Sequence, residues 1–396
     1  MNRSQHKVLI VGGGFGGIKA ALELAGEAEI EVELLSDHDD FRFYPSLYHT
    51  ATGGSRVASS IALSEIFADK KVIVLIDSAK KIDRKKNFVI GKSGQKYSYD
   101  VLILALGVVT NYFGVKGLEE YSYGIKSNAE AEELRNHLHK LMFDDKKPDL
   151  NYVVIGGGPT GVELAGALPA YLQHIRKNHG IAGKNLHVDL VEAMPRLMPR
   201  MSKRYSHKVQ SQLKKLGVKL YLNEEVKAET ADKLVLSDKP LASHTVVWTA
   251  GVTNHPFFKD NNFMLTQRGK VVVNEILQAE PNIYVIGDNA DTEYSGMAQT
   301  AVHDGKFVAH NIIRAFNGKT LEAYKPRRPV YVTPAGRRWA AVQWGKFEVY
   351  GYLGWLLRSA ADFLAYHDLE PWWTAGRHWI AQGEAQSSCP ICATKS

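Results

Sequence analysis

Cysteine is nearly absent: the 396 residues hold two, Cys389 and Cys392, both at the C-terminal end. No disulfide framework can hold such a fold, and a reducing compartment suits it. Long hydrophobic runs are missing too. No stretch of about 18 uncharged apolar residues occurs, so no transmembrane helix is expected. The short apolar run after MNRSQHK is broken by glycines before it reaches the length of a signal-peptide core, so export is not expected. Biased, disorder-prone composition is confined to the extreme C-terminus. No basic stripe interleaved with aromatics runs through the 49 Lys and Arg, which argues against nucleic acid. The net charge of +7 suits an acidic surface instead, such as the cytoplasmic face of a membrane.

What is present fits two α/β domains sharing a cleft, since a single core stops growing well below 396 residues. Residues 7–11 (KVLIV) predict a buried parallel strand. Gly12, Gly14 and Gly17 follow at G-x-G-x-x-G spacing, and IKAALELAGE predicts a helix. The first glycine permits the turn, the second lets a pyrophosphate approach the backbone, and the third lets helix meet strand. A second strand, EVELLS, leads to Asp37, about 20 residues past Gly17, where a ribose-binding acid is expected. The unit recurs at 151–192: NYVVI, then Gly156, Gly158 and Gly161, then VELAGALPAYLQHIRK, then HVDLVE ending in Glu192. Two cradles imply two dinucleotides. The Glu192 carboxylate would bond a ribose hydroxyl and repel a 2′-phosphate, which argues for NADH over NADPH. Two further strand-to-turn segments, YDVLILALGVVTNYFG and NIYVIGDNA, bring Gly107 and Asp288 to turns. Asp288 is placed to bond the sugar-alcohol and phosphate part of a flavin, or is an ordinary strand-ending turn acid.

Taken together, GGGFGG, ALG, TNYFG, GGGPTGVELAG, WTAGV, IGD and AQTAVHDG resemble the type II, non-proton-pumping NADH dehydrogenases, which are NADH:quinone oxidoreductases. The resemblance covers about residues 7–380. It implies an α/β fold with two Rossmann-like dinucleotide-binding domains, an FAD domain of 1–117 and 256–325 with an NADH domain of 118–255 inserted, and a C-terminal membrane-association region of 326–396. It implies noncovalent FAD held by Gly12, Gly14, Gly17, Asp37, Gly107 and Asp288. NADH falls to Gly156, Gly158, Gly161 and Glu192, and Gly251 is a further cofactor contact. Ala298 and Gln299 would lie beneath the flavin and line a quinone pocket, while Glu163 would handle protons and charge near the nicotinamide. A helix acid at Glu163 also suits the macrodipole alone. Two departures stand out: Ser36 occupies the place of the family's acid, leaving the role to Asp37, and His303 replaces a glutamine.

Six of the seven Trp lie in the last sixty residues, interleaved with Arg337, Arg338, Lys346, Arg358 and Arg377. Aromatic-plus-basic amphipathic helices suit a bilayer interface. A peripheral position on the cytoplasmic side of the cell membrane, facing anionic lipid and taking quinone from it, is therefore expected, with a homodimer interface or a core helix as the alternative. A chain ending near residue 350 should then leave liposomes while keeping FAD. The CPIC spacing suits half a zinc site or a redox pair, but no second ligand pair accompanies it, so no metal site is expected. The rival activity is a soluble ferredoxin or disulfide-type reductase using a partner or the CPIC tail. Against it, no cysteine lies near the flavin segments. A flavin-bound NADH sensor is a further rival.

Overall fold

The computed structural model describes residues 6–144, 151–178, 180, 186–237, 239–383 and 391, so Cys389 and Cys392 lie outside the described residues. The first sheet grows from the apolar run at 7–11. Val8, Leu9 and Ile10 are fully buried, as a strand covered on both faces requires. His6–Val11 runs parallel between Ile30–Ser36 and Val101–Leu104; Val72–Ile76 continues one side and Ile283–Val285 the other. Gln278–Glu280 closes that second edge antiparallel. A strand from beyond residue 280 thus completes a sheet begun at residue 6. Helices Phe15–Leu24 and Ala298–Phe316 lie against each other so closely that a Cβ on Gly305 would stand 2.3 Å from the Gly16 carbonyl oxygen.

A second, all-parallel sheet has the order Val218–Leu222, His187–Glu192, Asn151–Ile155, Thr245–Trp248. Its core, built on Tyr152, Val154, Leu164, Leu168 and Tyr171, also takes in Leu47 and Ala51 of the first unit. The chain enters and leaves this unit along one antiparallel pair, Val108–Thr110 with Val252–Asn254. This unit is inserted into the first.

The last described segment belongs to both units. A three-stranded antiparallel sheet, Tyr331–Pro334, Ala340–Trp344 and Phe347–Gly351, leans on the inserted unit, where the Tyr205 hydroxyl donates to the Ala341 carbonyl at 2.9 Å. Helices Tyr352–His367 and Trp372–Gly383 return to the first unit. There Tyr366 stacks on Phe43 with ring centroids 4.2 Å apart, and its hydroxyl donates to the Ala58 carbonyl at 2.5 Å. Among the described residues no helix is long and apolar enough to cross a membrane.

Candidate active site

The two glycine turns match in backbone angle and in their closest contacts. Gly12 has φ +118° and Gly156 +112°, a region L side chains avoid. A Cβ on Gly17 or Gly161 would stand 1.9 Å from the carbonyl oxygen of Gly12 or Gly156, so helix and strand touch through bare backbone. The middle glycines differ in kind: a Cβ on Gly14 or Gly158 meets nothing within 4 Å. Each therefore borders free space at a helix start. Helix Phe15–Leu24 has no side-chain N-cap and no acid in its first turn, and helix Pro159–Asn178 has no acid in its first turn either. Free amides at the positive end of a helix dipole suit a pyrophosphate. Two dinucleotides fit these cradles.

The strand ends show where the cradles diverge. Val11 pairs with Leu35 and Ile155 with Val191, which makes Ser36 the equivalent of Glu192. Glu192 accepts hydrogen bonds from the Gly157 amide at 2.6 Å and the Met194 amide at 2.8 Å, which aims the carboxylate at its own cradle. Ser36, and not Asp37, holds the matching place in the first cradle. The Asp37 carboxylate is largely exposed and bonds the His38 ring, and that hydrogen bond holds it below the usual carboxylate range. Asp37 still borders the site. Its charge, with those of Arg42 and Asp288, reaches the hydroxyl of Tyr44. Desolvation by the surrounding protein raises the Tyr44 pKa although the residue is 45 % exposed.

Two residues that sequence reasoning missed organise the turns beside Asp288. Asn289 is fully buried; it accepts from the Gly107 amide at 2.9 Å and donates to the Gly107 carbonyl at 2.6 Å and to Asn254 Oδ1 at 2.6 Å. It joins the ALG turn to the turn carrying Asp288. Asp304, also fully buried, accepts from the Gly287 amide at 3.0 Å and the Tyr324 hydroxyl at 2.5 Å, and burial pushes its pKa up to about 6. Gly287 and Gly107 both take positive φ at these turns. The only sequence signal for either residue is a polar group inside an otherwise buried segment.

Ala298 opens helix Ala298–Phe316, whose N-terminus lacks a side-chain cap and an acid, so its amides face outward free to stabilise negative charge. Gln299 is engaged: its amide donates to the Val330 carbonyl at 3.1 Å and accepts from the Val330 amide at 3.0 Å. A His303 ring nitrogen bonds the Lys325 carbonyl at 3.0 Å. Both brace the segment 325–330. Gly251 closes the far side, where its carbonyl accepts from the Asn111 amide at 3.1 Å and a Cβ would meet the Phe113 ring at 2.4 Å.

Glu163, in the second turn of the inserted unit's helix, is buried, and burial pushes its carboxyl up to about 8. The charges of Arg358 and Asp362, from the C-terminal helix Tyr352–His367, reach it. Arg358 pairs with Asp362 at 2.7 Å and donates to the Pro45 carbonyl at 3.2 Å. Burial raises Asp362 to about 6 and also raises the Tyr48 hydroxyl, on which Arg358 and Glu163 both act. Three segments remote in sequence thus meet at one buried, protonatable cluster.

The family model for pyridine nucleotide-disulphide oxidoreductases matches residues 6–305. The type II NADH:quinone oxidoreductase Ndh of Mycobacterium tuberculosis is 29 % identical over 383 residues, covering 89 % of this chain and 82 % of the relative. Among solved structures, NDH2 of Plasmodium falciparum in complex with NADH superposes with a TM-score of 0.85 at 16 % identity, over 96 % of this chain and 97 % of that one. The sulfide:quinone oxidoreductase of Aquifex aeolicus reaches 0.77 at 21 % identity, over 96 % and 92 %. These two share the fold. The chain belongs to the pyridine nucleotide-disulphide oxidoreductase family, and type II NADH:quinone oxidoreductases are among its relatives.

Proposed function

We infer that the protein is an FAD-dependent NADH:quinone oxidoreductase that couples no proton pumping to the electron transfer. The observation that carries this is the duplicated cradle, with free space beside Gly14 and beside Gly158, in a chain related along 89 % of its length to such an enzyme. When bound, FAD accepts hydride from nicotinamide and yields electrons singly or in pairs to the next acceptor. The chain's own residues supply position and charge. Gly12, Gly14 and Gly17, with Gly107 and Asp288, hold FAD in the unit of 1–117 and 256–325. Gly156, Gly158, Gly161, Glu192 and Gly251 orient NADH in the unit of 118–255. The free amides at the start of helix Ala298–Phe316 offset negative charge on the reduced cofactor. Glu163 holds a proton at its carboxyl at neutral pH.

Quinone enters from the side braced by Gln299 and His303. The exposed apolar face of the last two helices docks peripherally on anionic lipid, on the cytoplasmic side. A disulfide-type reductase would need a thiol pair beside the flavin, and the only cysteines are Cys389 and Cys392.

The test compares NADH oxidation with a soluble quinone analogue, a ferredoxin and a disulfide as acceptors. Quinone should be reduced fastest, also in the Cys389→Ser/Cys392→Ser variant. A protein that turns over only the disulfide or the ferredoxin would overturn the reading. NADH should be preferred to NADPH, and Glu192→Gln should narrow that preference because it removes the charge facing a 2′-phosphate while keeping an acceptor for the Gly157 amide. An unchanged ratio of kcat/KM for the two nucleotides would assign discrimination elsewhere.

A further inference from the structure

Three side chains from separate parts of the chain converge outside the cradles. Glu65 lies on the short helix Leu63–Ile66, Glu370 in the turn between the last two helices, and His378 on helix Trp372–Gly383. One ligand-type atom of each lies within 4.8 Å of the others. The side chains of Glu370 and His378 are 1 % and 2 % exposed, and beyond a 3.4 Å ion pair with His378 Nε2 neither Glu370 oxygen has a hydrogen-bond donor. A buried carboxylate so poorly supplied with donors is costly unless a cation accompanies it.

The histidine is set up to share that cation. Its Nδ1 lies 2.7 Å from the Val57 carbonyl, which can only accept, so Nδ1 carries a proton, and Nε2, facing Glu370, either holds a second proton in the ion pair or exchanges that proton for a metal ion. Nε2 stands 3.4 Å from Glu370 Oε2. That is longer than the roughly 2.7–2.9 Å of a charge-assisted hydrogen bond. It matches the roughly 3.4 Å that separates two ligands each about 2.1 Å from a tetrahedral ion. Arg377 bonds Glu65 and comes within 3.5 Å of His378 Nε2, but it is over half exposed and leaves the Glu370 oxygens unbonded.

We propose that Glu65, Glu370 and His378 form a structural site for one divalent transition-metal ion of the zinc class. Two carboxylates and one imidazole give a neutral complex with a divalent ion, as a buried site favours, and leave a fourth position for water. Binding swings Arg377 outward and pins the last helix to the segment 56–66. The site is thus a clamp on the C-terminal helices and touches neither cradle.

The experiment uses the full chain carrying Cys389→Ser and Cys392→Ser, because the CPIC spacing would itself capture a soft ion. After chelator treatment, titration with Zn²⁺ alone should show one saturable site per chain by calorimetry. Zinc should also slow hydrogen exchange in residues 372–383, while FAD absorbance stays constant. His378→Gln should abolish the site. Glu65→Gln, at a partly exposed position that opens no core, should weaken it at least tenfold and keeps the test decisive if His378→Gln does not fold. Absence of a saturable site, or unchanged Zn²⁺ affinity in folded Glu65→Gln, would overturn the proposal.

Discussion

At Gly14 and Gly158 the glycine is not demanded by its neighbours, since an added Cβ would meet no protein atom. On the proposed function, what it would meet is ligand. Gly14→Val should therefore yield a folded but colourless protein with little bound FAD. Gly158→Val should stay yellow and raise the KM for NADH at least tenfold, about 1.4 kcal/mol of lost binding. A yellow Gly14→Val protein with parental turnover would show that no phosphate lies there. Glu163 makes a different kind of statement. Its carboxyl titrates near 4.5 when unfolded and at about 8 in the fold, so between those values the folded state binds more protons than the unfolded one. The stability it contributes is complete below about pH 4.5 and is lost as pH rises through 8. Asp362 and Asp304, both raised to about 6, act in the same direction over a lower window. Glu163→Gln should therefore flatten the decline of melting temperature between pH 6 and 9 relative to the parent, and its rate of flavin bleaching by NADH should lose any inflection near pH 8. Identical pH profiles for both proteins would place the proton on another group of the cluster.

The glycine-turn units were legible because each is a local device: strand, turn and helix follow one another within about thirty residues, and the spacing of Gly156, Gly158 and Gly161 carries the geometry with it. The strand-end position was legible for Glu192, which lies on the strand itself; Asp37 falls one residue past the equivalent place, and the next-residue His38 takes its hydrogen bond. Asn289 and Asp304 were not legible, because what they hold together, residues 107 with 289 and 287 with 304, is set by tertiary approach. The same holds for Gln299. Its position at the helix start was readable, but its two-point hold on Val330 was not. That hold shapes the expected phenotype. Gln299→Phe should both fill the proposed quinone side and release the segment 325–330, slowing reoxidation of the flavin by quinone tenfold or more while bleaching by NADH stays within a few-fold of the parent. If stopped-flow measurements instead show slow bleaching and parental reoxidation, the start of helix Ala298–Phe316 serves the nicotinamide side.

For the whole molecule, the question is how a chain with no spanning helix among its described residues would meet quinone in a bilayer. The C-terminal pair of helices has two faces. Inward, Tyr366, Leu369 and Ala375 join the core of the first unit beside Phe15 and Phe43. Outward, Leu353, Leu364, Trp372, Trp373 and Ile380 are each more than half exposed, and Trp344 and Phe347, at the hairpin just before them, are 67 % and 80 % exposed. Water-facing apolar surface of this extent suits the docking surface proposed above. The inward face means that ending the chain near residue 350 would strip core residues along with the docking face, so loss of liposome binding by that truncation would report unfolding as readily as detachment. Point substitutions separate the two. Trp372→Glu with Trp373→Glu, and independently Leu353→Glu with Leu364→Glu, change side chains that contribute little to the core and place charge where lipid is proposed. Each pair should leave melting temperature and FAD content close to the parent, abolish cosedimentation with anionic liposomes, and reduce turnover with a long-chain membrane quinone at least tenfold while sparing a soluble analogue. Sedimentation equilibrium on the same proteins distinguishes the alternative: if the parent is a dimer that both pairs convert to monomer while liposome binding persists, this face joins two copies of the chain and the membrane is met elsewhere.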